Sequence, residues 1–354
     1  MRAIGGAGHE ITLASRHRSY DGDGNVRRQQ QLKAEGEREA MGMLEAYAKE
    51  AAMPPELWFT YHLYYKAPDW IGPVVADELG IPYVVAEASV APKRAGGAWD
   101  MGHRGVLRSL HAARLVIGFN ANDEACVSPH LSSGADYVHV APFIDCEPYQ
   151  AAARERPTYR AMTAGQYGLP FDEPWLLTVA MMRPGDKTAS YRLLADALTR
   201  IADRPWRLLV VGDGDSRSEI ADAFVPVADR VTWLGAQAQD SLPGIYAAAD
   251  LYVWPGVNEA FGMAFLEAQA SGLPVIACDE GGVHGVVAAP QGGTLVEKRN
   301  VGAFSDAVAA LLDEPATRSE MGRCAQSSIV RDHGLFPAAK TIDRLLNGLR
   351  APCA

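Results

Sequence analysis

The chain has no run approaching eighteen apolar residues, so nothing in it reads as a transmembrane helix. Its opening stretch, "MRAIGGAGHEITLASR", lacks the apolar centre of a secretory signal. The cysteines (126, 146, 278, 324 and 353) are scattered, odd in number and without C-x-x-C spacing. That excludes a disulfide framework and fits free thiols in a reducing compartment, so the cytoplasm is the expected location. Basic excess is missing as well: 33 Lys and Arg stand against 43 Asp and Glu, a net of −10. A sequence-independent nucleic-acid binder needs a positive footprint and is excluded on that ground. The Gly-rich loop "VVGDGDS" (210–216) lacks the third glycine of a dinucleotide fingerprint, because Arg217 stands in its place. A tight strand-to-helix turn is the simpler reading of it.

At 354 residues the chain exceeds what one core usually serves, which predicts two domains. Short β-branched runs alternate with helical patterns, the mark of βαβ units and parallel sheets. The strand candidates are 10–15, 57–61, 83–87, 115–119 and 137–141, then 175–180, 207–212, 230–235, 251–254, 274–279 and 294–297. Several are continuous apolar runs, as expected of strands covered on both faces. A helix is predicted from about Val26 to Glu50, with Met41, Leu44, Tyr47 and Ala48 at helical spacing as its core face. Its Arg27, Arg28, Lys33, Arg38 and Lys49 are balanced by Glu35, Glu37, Glu39, Glu45 and Glu50, which reads as a solvated surface; a peripheral membrane contact stays open. Proline and charge concentrate in 142–174, the expected domain boundary. The fold class is α/β, with two Rossmann-like, doubly wound parallel-sheet domains facing a cleft.

The densest information lies in "WPGVNEAFGMAFLEAQASGLPVIACDEGG", Trp254 to Gly282. Glu259 follows the apolar strand "LYVW", and Glu267 lies on the next helix. In open α/β sheets, ligands bind beyond the carboxyl ends of the strands. Two acceptor-only carboxylates there suit a polyhydroxylated ligand. Backbone amides at Phe261, Gly262 and Met263, beside Ala260, are read as orphan donors at a helix start, with Gly262 permitting close approach. Glu267 is flanked by apolar residues, and a buried carboxylate needs a partner.

This stretch resembles the signature of retaining glycosyltransferases of family four, which have the GT-B fold. The matching residues are Pro255, Glu259, Phe261, Gly262, Glu267, Ala268, Gly272, Pro274, Val275, Gly281 and Gly282. The resemblance implies an enzyme that moves a sugar from a nucleotide-diphosphate donor to a hydroxyl acceptor with retention. It implies Glu259 near the donor sugar, Glu267 on the ribose and the "WLGAQA" segment (233–238) near the base. Lys187 and Arg183 in "VAMMRPGDKTASY" stand where the family places its diphosphate cations, although Ala180 and Met181 replace the usual Gly-Arg pair. The family uses the "GDGDS" loop structurally, so no D-x-D metal site is implied. Charge on the leaving phosphate would fall to basic side chains and a helix N-terminus. The donor is a substrate, and no cofactor or metal is expected. Glu259, Lys187 and Arg183 are thus the catalytic candidates, with Glu267, Ala260, Phe261, Gly262 and Met263 binding the donor.

The resemblance further implies an acceptor-side domain over 1–150, a linker over 151–174, a donor-binding domain over 175–335 and a terminal helix over 336–354 crossing back. The chain opens at what resembles the tail of the family's first helix, so the first domain is expected to lack its first strand. Either a start codon lies further upstream or the copy is shortened. Acceptor-side candidates are His62, His103, Lys93 and Arg94, with Trp99; the acceptor is a glycan, a lipid-linked or a small molecule. Two other readings stay open. One is a nucleotide-sugar epimerase or a dinucleotide oxidoreductase, and the other is a truncated, catalytically impaired nucleotide-sugar-binding protein.

Overall fold

A computed structural model describes residues 1–349. The chain divides into two compact units, Met1–Val140 joined by the chain from Ala339 onward, and Ala141–Ala338. The last residues of the expected terminal helix, Cys353 among them, lie outside the described residues. Among the described residues no helix is long and apolar enough to cross a membrane. The four described cysteines are free thiols.

The first unit is built on four parallel strands in the order β1 (Trp58–Leu63), β2 (Tyr83–Ala88), β3 (Leu115–Gly118) and β4 (Asp136–His139). Val84, Val85, Val116 and Ile117 are fully buried, as a sheet covered on both faces requires. Asp69 ties sheet to helix: it accepts from the Ile71 and Gly72 amides at 2.8 Å each and from the Thr60 and Tyr83 hydroxyls. This satisfies donors at the start of the Gly72–Leu79 helix.

Two expectations are corrected here. No strand forms over 10–15; Ile11 and Leu13 are exposed, and β1 pairs with β2 alone among the strands. An alternating segment becomes a strand only where a neighbour offers backbone donors and acceptors, and none is bonded to this one among the described residues. The predicted long helix forms as Val26–Ala48, with the Asn25 side chain capping the Arg28 amide. Its buried face, however, is Gln29, Leu32, Gly36 and Ala40. Gly36 selects that face, because a Cβ there would lie 2.8 Å from Trp70 Cβ, so the helix packs closely at this point. Of the predicted face, Leu44 and Tyr47 are half-buried against the core of this unit, whereas Met41 and Ala48 are exposed; with Leu79 these four line a groove of about 410 Å³.

The second unit holds six parallel strands: β5 (Trp175–Val179), β6 (Arg207–Val211), β7 (Val231–Gly235), β8 (Leu251–Val253), β9 (Val275–Cys278) and β10 (Gly293–Val296). Their spatial order is β10-β9-β8-β5-β6-β7. From β5 the chain winds first through β6 and β7, then returns to the other side for β8, β9 and β10. The order therefore reverses between β5 and β8, which pair through Leu176↔Leu251 and Leu177↔Tyr252. Trp175, Leu176, Leu177, Leu251, Tyr252 and Val253 are fully buried. Each such side chain contributes roughly 1.5–3 kcal/mol of transfer free energy.

Residues 142–174 contain the helices Glu147–Arg154 and Arg156–Tyr167. Asp250, just before β8, holds the second of these helices to this unit: it accepts from Arg156 at 2.6 Å, from Arg160 at 2.9 Å and from the Trp175 amide at 2.7 Å. The glycines of "GDGDS" serve close backbone packing. A Cβ at Gly212 would lie 1.9 Å from the Ala180 carbonyl oxygen, and one at Gly214 would lie 2.4 Å from that of Met182.

Candidate functional site

Every strand of the second sheet is parallel, so all carboxyl ends emerge on one edge. The loops leaving β5 and β8 flank the point where strand order reverses, the place such folds use for ligands. The β5 loop ends at Gly185, whose φ of 91° turns the chain into the Asp186–Thr199 helix. Lys187 sits in the first turn of that helix. The β8 loop carries Glu259. Lys187 Nζ and Glu259 Oε2 meet at 2.5 Å, both largely buried. Trp254 Nε1, at the end of β8, donates to the same Glu259 oxygen at 3.3 Å, and its ring faces the Lys187 ammonium at 5.6 Å. Trp254 thus orients the carboxylate while its ring face favours the cation.

Glycines fix this loop. "EAFG" lies just ahead of the Met263–Ala270 helix rather than within its first turn, because Gly262 takes a φ of 72° at the N-cap. A Cβ on Gly262 would approach the Phe265 ring at 2.7 Å and Glu259 Cγ at 3.0 Å. The turn after β9 closes from the other side. A Cβ on Gly281 would lie 2.1 Å from the Glu259 carbonyl oxygen, and one on Gly282 would lie 1.8 Å from that of Ala260. The Gly282 amide donates to the Glu259 carbonyl at 3.0 Å. Among the described residues the amides of Phe261, Gly262 and Met263 take no backbone acceptor, and no side chain caps this helix. Ala260 and Met263 are exposed beside them.

Glu267 lies on that helix, mostly buried. Burial pushes its carboxyl above the ordinary range, opposed by the Tyr246 and Tyr149 hydroxyls that stabilise the anion. Tyr246 donates to Oε2 at 2.7 Å. The protein itself therefore supplies a partner to this buried carboxylate. Sequence reasoning missed Trp254 as a positioning group, and also Tyr246 and Tyr149. A tyrosine in the apolar helix "LPGIYAA" reads as core, and only tertiary packing brings it to Glu267. Arg183 is exposed in the β5 loop with no ion partner among the described residues; its carbonyl accepts from Thr188. It is not brought to the Lys187–Glu259 pair. No grouping of three or more His, Cys, Asp or Glu suited to a metal occurs among the described residues.

In the first unit, His62 lies near the carboxyl end of β1 and pairs through Nδ1 with Glu87 Oε1 on β2 at 3.3 Å. Both residues adopt left-handed backbone, with φ of 66° and 58°. Such conformations cost about 1–3 kcal/mol each away from glycine and cluster at functional sites. The hydrogen bond to Glu87 raises the His62 pKa against the effect of burial. Tyr64 sets its ring edge-on to His62 at 4.8 Å. His103 is instead buried on the Asp100–Ala112 helix, its Nδ1 without a hydrogen-bond partner among the described residues. Lys93 is exposed. The Arg94 guanidinium lies 4.9 Å from both the Tyr65 and Trp99 rings. Glu87 was not a sequence candidate; nothing in "VVAEAS" separates it from any strand-end charge.

A parallel sheet with helices between its strands and a lysine–carboxylate pair at its switch point defines a protein of the doubly wound α/β class, with a candidate ligand site at that point. The family profile "Glycosyl transferases group 1" matches residues 173–314, the span that builds this site. D-inositol 3-phosphate glycosyltransferase of Mycolicibacterium smegmatis is 30% identical over 327 residues, covering 86% of this chain and 69% of that protein. Its Mycobacterium tuberculosis counterpart is 31% identical over 330 residues, covering 88% and 65%. The chain belongs to the group 1 glycosyltransferases, and spans about two thirds of the length of these curated relatives. Among solved structures, sucrose-phosphate synthase from Thermosynechococcus elongatus superposes with a TM-score of 0.66 at 22% identity, over 89% of this chain and 79% of that one. HepE of Anabaena in complex with UDP and glucose does so at 0.67 and 17%, over 88% and 81%. These likenesses show the GT-B fold.

Proposed function

We propose that this chain is a retaining glycosyltransferase that moves a sugar from a nucleotide-diphosphate donor to an acceptor hydroxyl without a metal. The observation that carries the reading is the meeting of Lys187 and Glu259 at the switch point of the second sheet. A lysine ammonium has three donors, and the bond to Glu259 uses one. The others serve the leaving diphosphate, together with the unbonded amides at Phe261, Gly262 and Met263, which carry the positive end of the helix dipole. Glu259 orients the donor sugar through its hydroxyls. Glu267, held by Tyr246, takes the ribose. The acceptor hydroxyl attacks on the face the diphosphate leaves, and a phosphate oxygen takes its proton. Arg183 contributes only if its loop moves toward the diphosphate.

A UDP-sugar is the donor class to try first, since HepE of Anabaena is described in complex with UDP-glucose. A phosphorylated polyol is the acceptor class to try first, on the names of the curated relatives. Scattered free thiols suit the cytoplasm. The deciding experiment is a panel of nucleotide sugars scored for thermal stabilisation and released nucleotide, with the product's anomeric configuration read by NMR. Stabilisation and nucleotide release with retention are expected. An inverted product overturns the retaining mechanism, and no binding by any member overturns the reading.

A second reading keeps donor binding and drops transfer. It is favoured by the unpaired 10–15 segment of the first unit. Stabilisation by a nucleotide sugar, with neither transfer nor hydrolysis, would select it.

A further inference from the structure

The opposite edge of the second sheet, where strands begin, holds a cavity of about 310 Å³. Its walls come from the segments entering β8 and β9 and from the Pro315–Asp332 helix. Three guanidinium groups line it, those of Arg156, Arg318 and Arg323, against the single carboxylate of Asp250. That carboxylate is already shared between Arg156 and Arg160. Arg323 reaches Glu320. Arg318 bonds only carbonyl oxygens, those of Leu311 and Leu312, through one nitrogen. Its remaining donors are unused among the described residues. Burial, and then repulsion from Arg160 and Arg318, hold the Arg156 guanidinium below its ordinary range despite Asp250. A chain of net charge −10 thus concentrates like positive charge in one concavity.

We propose that this cavity binds an oxyanion of the phosphate class, gripped by Arg318 and Arg323 with Arg156 behind them. Guanidinium forks match phosphate oxygens in pairs, which a carboxylate already shared by two arginines cannot do for a third. The first turn of the eighteen-residue Pro315–Asp332 helix lies at its wall, with Pro315 and Ser319 among the lining residues, so the positive end of that helix dipole is beside the cavity. A dianion here removes the repulsion among the arginines. The site stands apart from the donor loops, which follow the carboxyl ends of the strands, and does not depend on the function proposed above.

The test is calorimetry of the full chain with inorganic phosphate at constant ionic strength, on wild type, an Arg318→Gln/Arg323→Gln double variant and Lys187→Ala. The last removes the cation that phosphate could meet on the donor side. Binding that Lys187→Ala keeps and the arginine variant weakens at least tenfold is the expected result. Each arginine is also changed singly, so that a folding defect in the double variant, read by its melting curve, cannot hide the answer. Flotation with phosphatidylcholine vesicles, with and without phosphatidic acid, separates the sources. Arginine-dependent flotation assigns a lipid headgroup; phosphate binding without flotation assigns a free phosphate or phosphate ester. Heat lost in Lys187→Ala and kept in the arginine variants overturns the proposal, as does the absence of both phosphate binding and flotation.

Discussion

Lys187 Nζ and Glu259 Oε2 lie 2.5 Å apart although seventy-two residues separate them in the chain. One follows β5 and the other follows β8, and only the reversal of strand order between those strands makes them neighbours. Because they act as a unit, their substitutions should not add. Glu259→Ala and Lys187→Ala are each expected to lower turnover about 10²–10³-fold, roughly 3–4 kcal/mol by analogy with removal of one preorganised stabilising group. The double variant should be little worse than the poorer single one. Initial rates of nucleotide release check this, with melting temperatures beside them to separate folding from chemistry.

Glu267 carries a pH signature. Its folded-state pKa is raised above the ordinary 4.5 because burial outweighs the two tyrosine hydroxyls. The folded state then holds this proton more tightly than the unfolded one, so stability falls as pH rises from the ordinary value through the raised one. Glu267→Gln should flatten the curve across that window and weaken binding of the nucleotide sugar. Tyr246→Phe should steepen it, since the anion loses a donor, and should cost about 1–3 kcal/mol at neutral pH. Chemical denaturation from pH 4 to pH 8 distinguishes these outcomes.

His62 should titrate above its ordinary 6.5 because of its bond to Glu87. A raised basic group stabilises fully below the ordinary value and loses that contribution as pH rises through the folded one. Glu87→Gln should bring the imidazole titration down to 6.5 or below, since burial alone lowers it. An NMR titration of the ring protons gives the answer directly, and an unchanged midpoint would contradict the pairing.

Gly282→Ala would drive a Cβ to within 1.8 Å of the Ala260 carbonyl oxygen, so the loop bearing Glu259 must shift. The expected cost is about 1–3 kcal/mol of stability, the usual range for overpacking. Donor affinity should fall at least tenfold while the rest of the sheet persists. Paired calorimetry and far-UV spectra would show whether the loss is local.

Excess chelator should leave transfer in place if Lys187 and the amides at Phe261 to Met263 carry the leaving-group charge. A rate that collapses with chelator and returns with magnesium or manganese would reassign that task to a metal.

Much of this was legible from the chain alone. Short, mostly apolar runs such as Trp175–Val179 and Arg207–Val211 read as buried strands, and the spacing of Glu259, Gly262 and Glu267 marked the β8 loop and its helix. Periodicity failed where the outcome depended on a partner elsewhere. Segment 10–15 alternates like a strand but has none bonded to it among the described residues, and the 26–48 helix is buried most deeply where Gly36 lets it approach Trp70, which leaves Met41 and Ala48 exposed.

The sequence by itself determined the alternation of strands and helices, the glycines that let the Glu259 loop meet the β9 turn, and the residue types available at the carboxyl edge. It did so because those depend on local dihedral freedom and on side-chain period. Tertiary structure alone decided that Tyr246 would hold Glu267, that Glu87 would pair with His62, and that Lys187 rather than Arg183 would reach Glu259. Each of those is a contact between strands or helices distant in the chain, fixed by strand order and packing, and no window of neighbouring residues contains that information.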